Sequence, residues 1–127
     1  WRIGYAPAGW DNLYKNFADN AEKVKLYQKL ALSLPNTVEV PHFEKPSFRY
    51  KNKIFGTFWP EQNLAMLKLS LIDQSVYHSY APEIFFPVQG AWGKQGATLV
   101  NIELVAVDVF QEALIKAYMN IGGKFQG

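Results

Sequence analysis

The chain has 127 residues, 49% of them hydrophobic, 19% charged and 16% aromatic, with no cysteine and a formal net charge of +2. This length suits one domain with a real core, and the composition excludes intrinsic disorder and the collagen-like and low-complexity classes. The missing cysteine removes disulfides, thiolate zinc sites, iron–sulfur clusters and cysteine nucleophiles, and so mild a positive charge falls short of a dedicated nucleic-acid coat.

Residues 1–18 read as an irregular arm carrying Trp1, Tyr5 and Trp10, with a short helix conceivable over 11–18. Residues 19–127 read as a single domain. No stretch has the eighteen or so apolar residues of a membrane span, and the first ten residues lack the apolar run of a signal peptide. Neither feature fixes the compartment; the expected location is cytoplasmic. A helix is expected from about 20 to 34: Asp19 and Glu22 form a capping-box pattern, Val24, Tyr27, Leu30, Ala31 and Leu34 recur at helical spacing, and Pro35 stops it.

Beta structure follows. Thr37–Val40 alternates, and Ser47–Tyr50 and Ile54–Trp59 flank Lys51-Asn52-Lys53, where Asn tolerates the left-handed backbone of a tight hairpin turn. Pro60–Asn63 makes another turn and Ala65–Leu69 a further strand. Ser70 and Asp73 open a second helix that ends near Tyr80, with Ile72, Val76 and Tyr80 on one face and Pro82 beyond. Phe85-Phe86-Pro87 and the loop Gly90–Gly96 precede a strand in which Thr98, Val100, Ile102 and Leu104 form an apolar face. Asp108 caps the last helix, whose stripe is Phe110, Ala113, Leu114, Ala117, Tyr118 and Ile121, and Gly122-Gly123 ends it. The fold class is α+β: an antiparallel sheet packed against helices on one face, in the order α-β(3-4)-α-β(1-2)-α.

Catalytic patterns are sparse. His42 and His78 are far apart in the chain, the eleven carboxylates are scattered, and no GxSxG elbow is present. His78 reads as a structural histidine. The spacing GxxGxxG at 90–96, with Lys94, matches neither phosphate-binding glycine motif, because a strand and not a helix follows; Trp92 there reads as an aromatic that packs.

Charge is uneven. Residues 42–68 carry Arg49, Lys45, Lys51, Lys53 and Lys68 against Glu44 and Glu61, whereas residues 69–104 carry Lys94 against Asp73, Glu83 and Glu103. A hairpin tip with Lys51 and Lys53, and with Arg49 and Lys45 nearby, has the form of a wing that lies along a phosphate backbone. The same pattern also describes a solvated, lysine-protected hairpin tip.

Blocks in order resemble one family: Lys45–Phe55 around the hairpin, Met66–Ser70 at a strand-to-helix step, Phe86–Val100 around Trp92, and Ala113–Tyr118 in the closing helix. With Leu32–Pro35 they cover about residues 20 to 125. The chain resembles the MmcQ/YjbR-like proteins, small bacterial proteins described as DNA-binding. The resemblance implies a YjbR-like, secretion-chaperone-like α+β fold and a double-wing contact with DNA, and a protein without enzymatic activity or cofactor. One wing would carry Arg49, Lys51 and Lys53, and a second projecting loop Trp92 and Lys94. Ala97 departs from the family's usual aromatic, and Gly122-Gly123 from its usual Ala-Pro.

Two other readings stay open. A protein-interaction or chaperone-like module, dimeric in one form, would show an exposed apolar patch. A small-molecule site would need Trp92, Lys94, His42 and Arg49 to meet in one pocket.

Overall fold

The computed structural model describes residues 22–125. The arm over 1–18, the conceivable helix over 11–18 and the Asp19 cap lie outside the described residues. The first helix, α1, occupies 22–32 of them. It stops two residues before the expected end: Ser33 folds its hydroxyl back onto the Leu30 carbonyl at 2.6 Å and 33–36 turn, with Asn36 left-handed. Leu34 is buried all the same.

Six strands follow in two groups, as the sequence pattern predicts: β1 (Thr37–His42), β2 (Lys45–Tyr50), β3 (Lys53–Trp59) and β4 (Leu64–Lys68), then β5 (Phe85–Pro87) and β6 (Ala97–Asn101). They form one sheet in the order β1-β2-β3-β4-β6-β5, antiparallel throughout. Helix α2 (Leu71–Tyr80) joins the groups, a one-turn helix α3 (Ala91–Lys94) sits between β5 and β6, and α4 (Val107–Asn120) closes the domain.

Both hairpins at the β1 end have two-residue turns. Lys51 and Asn52 have φ of 50° and 67°, and Phe43 and Glu44 have 53° and 65°, the type I′ pattern whose twist matches the flanking strands. The two tips lie at opposite ends of β2, so they project from opposite ends of the sheet.

The register of β2 on β3 shifts between Phe48 and Arg49: Phe48 opposes Gly56 and Arg49 opposes Ile54, leaving Phe55 as an extra, bulged residue. The bulge breaks alternation and puts Phe55 and Phe58, three residues apart, in the same core. Phe55 meets the Tyr118 ring edge-on at 5.4 Å, and Phe58 meets Phe48 at 5.3 Å and Phe110 at 6.2 Å. Tyr27 of α1 stacks on Phe110 at 4.0 Å, so α1, α4 and one sheet face share an aromatic core.

Ser70 caps α2 as expected, accepting from the Asp73 amide at 3.1 Å. Its buried face differs from the expected stripe: Gln74 and Tyr77 point inward, whereas Ile72, Val76 and Tyr80 are exposed. Strand β6 ends at Asn101, whose side-chain oxygen accepts from the Glu103 and Leu104 amides and turns the chain, so Leu104 is exposed. Ala106 is the N-cap of α4, and Asp108 lies in its first turn. Of the expected stripe, Phe110, Ala113, Leu114, Ala117 and Tyr118 are buried, whereas Ile121 is the C-cap, beyond the last helical residue, and only half-buried. Gly122, at φ 107°, closes α4 by a Schellman pattern: its amide donates to Met119, and the Gly123 amide to Tyr118.

Candidate nucleic-acid interface

The sheet face opposite the aromatic core is concave. Partners in an antiparallel ladder share a face, so the registers place Lys45, Ser47 and Arg49 of β2 with Ile54, Thr57 and Trp59 of β3, Met66 and Lys68 of β4, and Ala97 of β6. Ser47, Thr57, Met66 and Ala97 are buried there. A groove of about 600 Å³ lies on this face.

Four cations line it: Lys45, Arg49, Lys53 and Lys68. So do Phe43, Trp59 and Trp92, with His42, Asn52 and Gln95 among the polar groups. No Asp or Glu is among the lining residues. The lining is otherwise apolar: Ile54, Met66, Val88, Ala97 and Ile121. Arg49 Nε is buried and has no hydrogen-bond partner among the described residues.

Trp92 is held by its neighbours, not by its own packing: it is 63% exposed, which corrects the expectation that it packs. The residue that packs is Gly93. A Cβ there would come within 1.7 Å of the Val88 carbonyl oxygen, and one on Gly96, at φ 106°, within 1.9 Å of the Leu69 oxygen. From beneath, the buried Gln74 amide donates to the Gly93 carbonyl at 2.9 Å and to the Ala97 carbonyl at 3.0 Å. The loop expected over 90–96 is therefore a one-turn helix tied to α2, β4 and β6, and it presents Trp92 at the rim of the groove.

Of the six residues expected to contact nucleic acid, Lys45, Arg49, Lys53 and Trp92 line the groove, and Lys51 and Lys94 do not. Lys51 Nζ lies 5.5 Å from the Tyr50 ring, and Tyr50 belongs to the opposite, core face. Of the four residues a small-molecule site would need, Trp92, His42 and Arg49 meet and Lys94 does not. Lys68, Trp59 and Phe43 were not singled out from the sequence. Lys68 was legible, because it alternates with Leu67 and Leu69, both fully buried. Trp59 was hidden by the bulge, which spoils the parity of its strand.

A second, smaller hollow of about 350 Å³ lies between α2 and α4, lined by Asp73, Val76, Tyr77, Tyr80, Val109, Glu112 and Lys116. His78 is half-buried and its Nδ1 lies 2.7 Å from the Phe85 carbonyl oxygen, the structural role expected of it. Among the described residues no group of three or more acidic or histidine side chains could hold a metal ion, and no helix is long and apolar enough to cross a membrane. Compared with known proteins, the chain matches no family model, no curated protein and no solved structure.

Proposed function

We propose that this chain is a non-enzymatic nucleic-acid-binding protein that contacts phosphates through the concave face of its sheet. Lys45, Arg49, Lys53 and Lys68 carry the contact, with Trp92 at the rim. The observation that supports this is the gathering, in one groove, of four cations from three strands with no carboxylate among the lining residues. Elsewhere acids and bases are mixed: the hollow between α2 and α4 holds two carboxylates and one lysine. Like-signed charges in a concavity focus the field and attract a polyanion. Membership of the MmcQ/YjbR-like family, in the bacterial cytoplasm, belongs to the same proposal. It shifts the contact from the wing tip to the face beneath it, leaving Lys51 and Lys94 peripheral.

Salt dependence tests it. Four phosphates contacted on a duplex give a slope of log K against log[salt] of about −3.6. Fluorescence anisotropy of labelled DNA, duplex and single strand, across a salt series reads that slope, and absence of micromolar binding of both forms at low salt ends the proposal.

One observation favours a second reading, an interaction module. Leu71, Ile72, Val76 and Tyr80 leave an apolar strip of α2 uncovered, Ile72 being 77% exposed. Sedimentation at rising protein concentration separates the two: self-association abolished by Ile72→Glu supports the module, and a strict monomer removes the dimeric form of it.

A further inference from the structure

Resting on that reading, we propose that the groove takes an unpaired strand, with bases stacked on Trp59 and Trp92 and phosphates on the cations beside them.

The first argument is shape. A duplex presents its phosphates on a convex cylinder and keeps its bases stacked inside. Protein elements that read it are helices or two-stranded ribbons that project into a groove. Here the two hairpin tips project from opposite ends of the sheet, and the cations lie between them on a surface that curves inward. The hollow of about 600 Å³ falls within the size range of ligand clefts, so unstacked bases can enter it where a duplex cannot.

The second argument is the pairing of aromatics with charge at two stations. Ser47 opposes Thr57, and two residues further along each strand stand Lys45 and Trp59, next to the Phe43 turn. At the other end of the groove Arg49 opposes Ile54 and Lys68 opposes Ala97, beside the one-turn helix that carries Trp92. Four residues of strand separate Lys45 from Arg49, about 13 Å. Each station offers a ring to a base and a cation to its phosphate, the combination used to hold single strands without sequence readout. A duplex has no use for rings that line a concavity, the half-buried Trp59 and the exposed Trp92, because its base faces are already covered. The amides of Asn52 and Gln95 add donors and acceptors able to meet base edges.

The experiment uses the full chain and three probes: a fluorescein-labelled oligothymidylate, the same strand annealed to its complement, and thymidine monophosphate as competitor. The oligothymidylate binds at least tenfold more tightly than the duplex. Trp92→Ala weakens it by about tenfold, the usual worth of one base stack, and leaves the salt slope unchanged. Lys53→Ala lowers the single-strand slope by about 0.7. Trp92 is exposed, so Trp92→Ala folds, and an unchanged Tm verifies this. A duplex that binds as tightly as the strand, with Trp92→Ala silent, overturns the single-strand inference and leaves the phosphate-binding reading standing. Thymidine monophosphate competing as well as the oligomer also overturns it, in favour of a one-nucleotide pocket. Failure of every probe at low salt removes the underlying reading itself.

Discussion

The Tyr77 hydroxyl donates a hydrogen bond to a carboxylate oxygen of Glu112, fastening α2 to α4 on the helical side of the sheet. Tyr77 also lies against Phe85 of β5, with ring centroids 4.8 Å apart, so one side chain joins three elements. Burial, the bond to Glu112 and the negative charges of Glu112 and Asp73 together push its phenol well above the ordinary tyrosine value.

Tyr77→Phe keeps the packing and deletes the donor. The expected loss is about 1–2 kcal/mol, since one hydrogen bond to a charged group disappears while Glu112 regains water at the hollow. Urea unfolding of the two proteins measures it, and an unchanged midpoint would show the bond to be idle.

Alkali should unfold the domain cooperatively. Tyr27 and Tyr118 are also shifted upward, chiefly by burial, so three phenols resist ionisation in the native state. Their ordinary pKa is 10.0. Below that pH both states hold the protons and the contribution to stability is complete. Above it the unfolded chain releases protons that the native chain retains, and stability falls as pH rises. Each retained proton steepens the fall by about 1.4 kcal/mol per pH unit. Unfolding free energy measured at intervals from pH 9 upward, alongside phenolate absorbance, checks the sign.

Gln74→Leu removes the two bonds that hold the Gly93 and Ala97 carbonyls. Stability should drop by about 1–2 kcal/mol: each carbonyl keeps one backbone donor, from Gly96 and Val88, and loses only its second hydrogen bond. The Trp92 environment should loosen as well, which Trp fluorescence anisotropy reports; Gln74→Glu would restore neither bond.

The β2–β3 tip can be improved. Lys51 and Asn52 both hold positive φ, where Asn and Gly are at ease and Lys is not. Lys51→Asn with Asn52→Gly should raise stability by about 0.5–1 kcal/mol. Nucleic-acid affinity should barely change, because Lys51 points away from the groove. A large loss of binding would return the contact to the tip.

The order of elements was legible because each is punctuated locally: Ser70 and its amide partner open α2, Gly122 closes α4, and Asn52 marks a hairpin. The α4 stripe was legible because a helix against a sheet keeps one period over its whole length. What could not be read was which side of an element faces inward when both sides are apolar. Ile72, Val76 and Tyr80 form as good a stripe as any, yet α2 turns Gln74 and Tyr77 inward, since only they can meet the Gly93 and Ala97 carbonyls and the Glu112 carboxylate. Trp92 misled for a similar reason: its neighbour's lack of a side chain, not its own bulk, fixes the loop. Of the groove, the residue types were visible and their convergence was not. It depends on Phe55 being one residue too many.

That surplus residue also guards the assembly of the hairpin. If β2 and β3 paired one step out of line, Arg49 would be driven among phenyl rings while Phe48 and Tyr50 faced water. Such a mistake would bury a charge and expose two aromatic rings, so the native register is strongly specified. Fidelity of folding and the charge pattern of the exposed face are thus written into the same irregularity.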